Sequence, residues 1–117
     1  MGKKVREFRH FIDDILESIQ KIEDYSLNLS EEDFQFNFEK QDAIARRLEI
    51  IGEAVKNIPV DVKNQFTDIP WKSIAGLRDV IAHDYFGILP KRLWNIVKKD
   101  IPIFKVQIIQ VKSKLKF

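Results

Sequence analysis

Arg78, His83 and Tyr85 fall within the run Arg78-Asp79-Val80-Ile81-Ala82-His83-Asp84-Tyr85, in a chain with only two histidines. These residue types suit phosphodiester chemistry: a guanidinium neutralises phosphate, and an imidazole moves a proton near neutral pH. Their spacing raises a geometric problem. A helix turns about 100° per residue, so positions five apart lie about 140° apart around its axis. Within one straight helix Arg78 and His83 are poor partners. A joint site needs the helix to end or distort near His83, or a second copy of the chain to complete it. Asp79 and His83, four apart, share a face, so Asp79 is placed to fix the imidazole tautomer or raise its pKa. The competing interpretation is structural, with Arg78 paired to a surface acid, His83 half-buried on its helix, and Tyr85 a core or rim aromatic.

Other chemistries find little support. The chain has no cysteine, which removes disulfides, thiolate catalysis and cysteine zinc sites. His10 and His83 have no metal-ligand spacing, four scattered glycines make no phosphate loop, and no Ser-His-Asp arrangement stands out. No metal and no cofactor are expected. The first ten residues are charged with no apolar run after them, and no stretch is long enough to span a bilayer. A cytoplasmic location without membrane contact is the expectation, in keeping with the missing cysteines. The net charge of +2 does not describe a polycation. Nucleic-acid binding would have to use a local patch. Lys98, Lys99, Lys105, Lys112, Lys114 and Lys116 crowd the C-terminal third, and their default interpretation is a solvated helix face.

The elements that must position these residues read as helices throughout. With 44% hydrophobic and 32% charged residues over 117 positions, the chain is globular and suits one domain, residues 1–117. Val5, Phe8, Ile12, Ile15, Leu16, Ile19 and Ile22 step by three and four, predicting an amphipathic helix over 3–25. Leu27-Asn28-Leu29 is a connector, and Ser30 before Glu31-Glu32-Asp33 is a capping signal. A second helical stretch runs to about Asn57, its core face Ile44, Leu48, Ile51 and Val55. Phe34, Phe36 and Phe38 alternate like a strand, but their acidic setting predicts a short helix and a break near Asn37. Pro59 stops that stretch, and Val60 to Phe66 forms one or two further turns.

Pro70 suits the first turn of a helix over 70–84. Gly76 inside it costs roughly 1 kcal/mol relative to alanine, and close helix packing is the expected reason. Gly87 can end this helix and Pro90 open the next. Val97, Ile101, Phe104, Ile108, Val111 and Leu115 make an apolar seam, with a kink or restart near Asp100 imposed by Pro102. The predicted fold is all-α, an antiparallel bundle of four or five helices.

The stretch Gln41-Asp42-Ala43-Ile44-Ala45-Arg46-Arg47-Leu48-Glu49-Ile50-Ile51-Gly52-Glu53-Ala54 resembles the HepT family of the HEPN superfamily. So do Pro70-Trp71 through Arg78-Asp79, His83-Asp84-Tyr85-Phe86, and Leu93-Trp94. The bare R-x4-H motif is weak. Its extension to R-x4-H-x-Y, preceded by I-G-E-A and Pro-Trp, is far more specific, and the likeness covers roughly residues 5–105.

The resemblance implies an all-α bundle acting as a homodimer, with the R-x4-H residues of two chains meeting in a cleft. It implies a metal-independent endoribonuclease acting on cellular RNA (tRNA or mRNA), the toxin of a toxin–antitoxin pair. Arg78, His83 and Asp79 would be catalytic. The implied partner is an MntA-like minimal nucleotidyltransferase antitoxin that transfers AMP onto Tyr85. Arg46, Arg47, Lys72, Lys91 and Arg92 are candidates for RNA contact. The chain departs from the family at Asp79, where asparagine is common; a carboxylate there can orient His83 but repels phosphate. The alternative is a non-catalytic module of the same type that binds nucleotide or RNA and scaffolds the nucleotidyltransferase.

Overall fold

In a computed structural model of the chain, residues 2–84 and 90–115 are described, with side chains over 8–82 and 90–115. Helix α1 spans Gly2–Ser26, α2 Glu31–Phe36, α3 Phe38–Lys56, α4 Val60–Lys63 and α5 Trp71–Asp84. Helix α6 covers Pro90–Asn95, and a π turn over Ile96–Asp100 leads without a break into α7, Ile101–Lys114. No strand occurs among the described residues, and the class is all-α. No described helix is long and apolar enough to cross a membrane.

Local chemistry sets the boundaries. Asn28 takes φ 60°, turning the chain after α1; asparagine tolerates this left-handed geometry better than most residues. The Ser30 hydroxyl accepts the Asp33 N–H at 3.0 Å, and the Asn37 side chain accepts that of Lys40 at 3.0 Å. Each satisfies one free donor of a helix start. Asn37 is therefore the predicted break: Phe34 is buried, while Phe36 and Phe38 on either side of it are exposed. Pro70 sits just outside α5, not in its first turn, and its carbonyl accepts the Ile74 N–H at 3.0 Å. The π turn answers Pro102. Proline has no N–H to give four residues back and its ring crowds that carbonyl. Widening the preceding turn relieves the crowding, and the Ile101 N–H donates to Ile96.

One apolar cluster joins the helices. It takes Phe8, Ile12, Ile15, Ile19 and Ile22 from α1, and the predicted face Ile44, Leu48, Ile51 and Val55 from α3. From the C-terminal segment it takes Val97, Ile101, Phe104, Ile108 and Val111. The predicted seam is core, with Leu115 at its edge. Helix α3 lies between α1 and α5. Helix α7 runs antiparallel to α1, since Lys105 pairs with Glu23 at 2.7 Å and Lys112 with Asp13 at 3.1 Å. These lysines are thus partly spent on the fold. The start of α5 is pinned by Trp71, whose indole N–H donates to the Phe66 carbonyl at 3.0 Å and whose ring meets Phe104 edge-on.

The expectation for Gly76 is corrected. A Cβ built there meets no atom within 4 Å, so helix packing does not require this glycine. Gly76→Ala is expected to raise stability by roughly 0.5–1 kcal/mol, the ordinary gain of alanine over glycine in a helix. Thermal denaturation would show a higher Tm; a lower one would mean that another surface packs on Gly76.

Candidate active site

The glycine that packing does require is Gly52, on α3. A Cβ there would stand 2.8 Å from the Cβ of Arg78, 2.9 Å from its backbone N and 3.1 Å from the Ala75 carbonyl oxygen. Side-chain atoms do not approach backbone that closely, so only glycine lets α5 ride this near to α3. The glycine of I-G-E-A thereby sets the height of Arg78 above α3.

The Arg78 side chain is 44% exposed. Its Nε lies 3.3 Å from Glu53 Oε2 and its Nη1 3.4 Å from Asp79 Oδ1. Lys56 Nζ stands 3.3 Å from the same Asp79 oxygen. Two acids and two bases thus alternate across the α3–α5 seam. Exposed pairs of this kind contribute little to stability; what they do is aim the guanidinium. The Lys56 hydrogen bond, then the Lys56 charge and the nearby Arg78, hold the Asp79 carboxyl below the usual aspartate range. A depressed carboxyl stays ionised above its ordinary value. The cluster therefore persists through neutral pH and loosens only as pH falls through that lowered value.

Arg78 also forms one wall of a trench of about 270 Å³. Phe11 and Asp14 line it from α1, and Arg46, Glu49 and Glu53 from α3. Of the predicted RNA contacts, Arg46 is thus placed with Arg78. Arg47 is half-buried, Lys72, Lys91 and Arg92 are exposed, and none of these four lines the trench. The Asp79 carboxylate, expected to serve His83, is engaged by Lys56 and Arg78. The His83 side chain and the whole of Tyr85 lie outside the described residues. Helix α5 is described through Asp84, so the backbones of Arg78 and His83 both lie on it, five positions apart.

Glu53 and Lys56 were not singled out by motif spacing, yet they are what Arg78 and Asp79 touch. For Glu53 a signal existed: Arg46, Glu49 and Glu53 recur at steps of three and four, a polar stripe opposite the core face of α3. Among the described residues, no group of three or more His, Cys, Asp or Glu side chains is arranged to hold a metal ion.

Comparison with known proteins identifies the family. The family model described as ribonuclease HepT-like matches residues 15–111. A Thermococcus cleftensis protein described as "Probable ribonuclease HepT" is 44% identical over 100 residues, 86% of this chain and 91% of its own length. A Methanocaldococcus jannaschii protein described as "Putative RNase" is 41% identical over 97 residues, 83% of this chain and 80% of its own. A further M. jannaschii protein, whose description joins gamma-glutamylcyclotransferase to an RNase of the same qualified kind, is 41% identical over 110 residues. That match covers 94% of this chain but only 50% of the relative, so the chain spans about half the length of that protein. No solved structure matches. The I-G-E-A glycine under Arg78, the R-x4-H run on α5 and these matches together place the chain in the HepT-like ribonuclease family.

Proposed function

We propose that this chain is a metal-independent endoribonuclease, the toxin of a toxin–antitoxin pair, acting as a homodimer on tRNA or mRNA. The observation that carries the proposal is the placement of Arg78: packed by its backbone against Gly52 and open to solvent beside a trench. RNA supplies its own nucleophile in the 2′-OH. His83 serves as general base or acid on that hydroxyl or on the leaving oxygen, typically worth about 10²–10⁴ in rate. Arg78 stabilises the charge that builds on the phosphoryl oxygens as phosphorus becomes five-coordinate. The products are a 2′,3′-cyclic phosphate and a 5′-hydroxyl.

A second chain is one way to bring an arginine and a histidine that lie five apart on α5 together in one cleft. The antitoxin is an MntA-like nucleotidyltransferase that moves AMP onto the Tyr85 hydroxyl. A phosphate and a nucleoside two residues from His83 then repel and block the substrate phosphate. Incubation with tRNA in EDTA is expected to yield cyclic-phosphate ends from a protein that sediments as a dimer. Cleavage only on adding a divalent metal would contradict the proposal.

One observation favours the alternative, a module of this family that binds RNA without cutting it: Glu53 and Asp79 both engage Arg78. The two differ in what Asp79→Asn does. For the ribonuclease, releasing Arg78 and Lys56 from this carboxylate is expected to tighten RNA binding about two- to five-fold, the scale of one exposed ion pair, with cleavage retained. Anisotropy of a labelled RNA at fixed salt, beside a cleavage assay, checks both. Tighter binding without any cleavage would favour the module.

A further inference from the structure

We propose that the trench beside Arg78 is a base subsite selective for guanine, read by Glu49; this rests on RNA being the ligand, as proposed above. The charge of the trench decides what can enter. Asp14, Glu49 and Glu53 line it against Arg46 and Arg78, so three carboxylates face two guanidinium groups. A phosphate is disfavoured inside, and the phosphate belongs on the solvent-open Arg78 at its wall. A neutral base adjoining that phosphate is what the interior accepts.

At about 270 Å³ the trench falls just short of the roughly 300 Å³ at which sites for drug-sized ligands begin. One nucleobase suits it better than a larger ligand. Phe11 and Ile50 are half-buried and present apolar surface along the trench; bases stack on aromatic rings without regard to sequence. Selectivity must come from the polar groups.

Glu49 is half-buried and, among the described residues, makes no ion pair or side-chain hydrogen bond. An ionised carboxylate only accepts hydrogen bonds, through two oxygens side by side. A base that satisfies both oxygens at once presents two adjacent donors. Of the four RNA bases, only guanine does so, with N1–H and the N2 amino group on one edge. Adenine and cytosine set one amino group beside a ring nitrogen acceptor, which would face the second carboxylate oxygen. Uracil flanks its single N–H with two carbonyls. A buried edge that leaves acceptors opposed is penalised more heavily than a lost contact. The expected preference is about 10- to 100-fold for guanine over each other base.

The test uses short oligoribonucleotides with a single G, A, C or U in an otherwise uniform strand. Cleavage rates and, with 2′-O-methyl versions that cannot be cut, binding by anisotropy are compared for wild type, Glu49→Gln and Glu49→Ala. The proposal predicts a wild-type preference for guanine whose ratio to adenine falls toward one in both variants. That ratio is insensitive to a general loss of folded or active protein. Equal treatment of the four bases by wild type, or a guanine preference kept by both variants, overturns it. If no oligonucleotide is cut, the ribonuclease reading fails and the binding arm decides alone. A guanine preference there, lost with Glu49, upholds the subsite; its absence, or no binding at all, overturns it.

Discussion

Arg78→Ala is expected to lower RNA cleavage by about 10²–10³-fold, the usual cost of deleting one preorganised group that stabilises transition-state charge. The loss should fall mainly on kcat, because the guanidinium meets its full partner charge only when phosphorus is five-coordinate. Stability should barely move. The side chain is 44% exposed and its pairs to Glu53 and Asp79 are screened by solvent, so the effect should stay within about 0.5 kcal/mol. Arg78→Lys keeps the charge but loses the planar fork and should recover only part of the rate. Single-turnover kinetics with thermal melts on the same samples would show it. An Arg78→Ala variant retaining more than about a tenth of the wild-type rate would mean the reacting phosphate sits elsewhere.

Gly52→Val should be the most damaging change in a residue that touches no substrate. Its Cβ would stand 2.8 Å from the Arg78 Cβ and 2.9 Å from the Arg78 N. The second contact is with backbone, which cannot swing aside as a long side chain can. The whole of α5 must move, and overpacking of this kind costs about 1–3 kcal/mol. For a domain of this size each kcal/mol lowers Tm by roughly 4 °C. Because the same shift lifts Arg78 off α3, the surviving folded protein should also cleave more slowly than its folded fraction accounts for. Gly76→Ala is the control: also a glycine within a helix, but with open space around it and the opposite sign of effect. Equal Tm changes in the two variants would contradict the packing argument.

These two glycines mark the limit of what spacing can say. In one dimension Gly52 and Gly76 look alike, each a costly residue inside an apolar-periodic stretch. Only the neighbour across the helix interface distinguishes them, and that neighbour depends on how α3 and α5 are rotated. The pairing of Glu53 with Arg78 and of Lys56 with Asp79 is hidden for the same reason, being non-local by more than twenty residues. What was legible was local. Ser30 and Asn37 carry cap side chains whose partners are three residues away, and Pro102 must disturb the turn that precedes it. The apolar positions of α1, α3 and α7 repeat at the helical period, which is enough to name the core. The 140° separation of Arg78 and His83 was legible too, as a constraint that a helix end near His83 or a second chain must answer.

The most direct test of the central claim is tRNA and total-RNA cleavage in EDTA by the purified chain, free of tyrosine modification, beside His83→Ala. The expected result is cutting by wild type alone, with 2′,3′-cyclic phosphate ends. Cutting by both proteins, or by neither when both are folded dimers, would contradict a metal-independent ribonuclease built on Arg78 and His83.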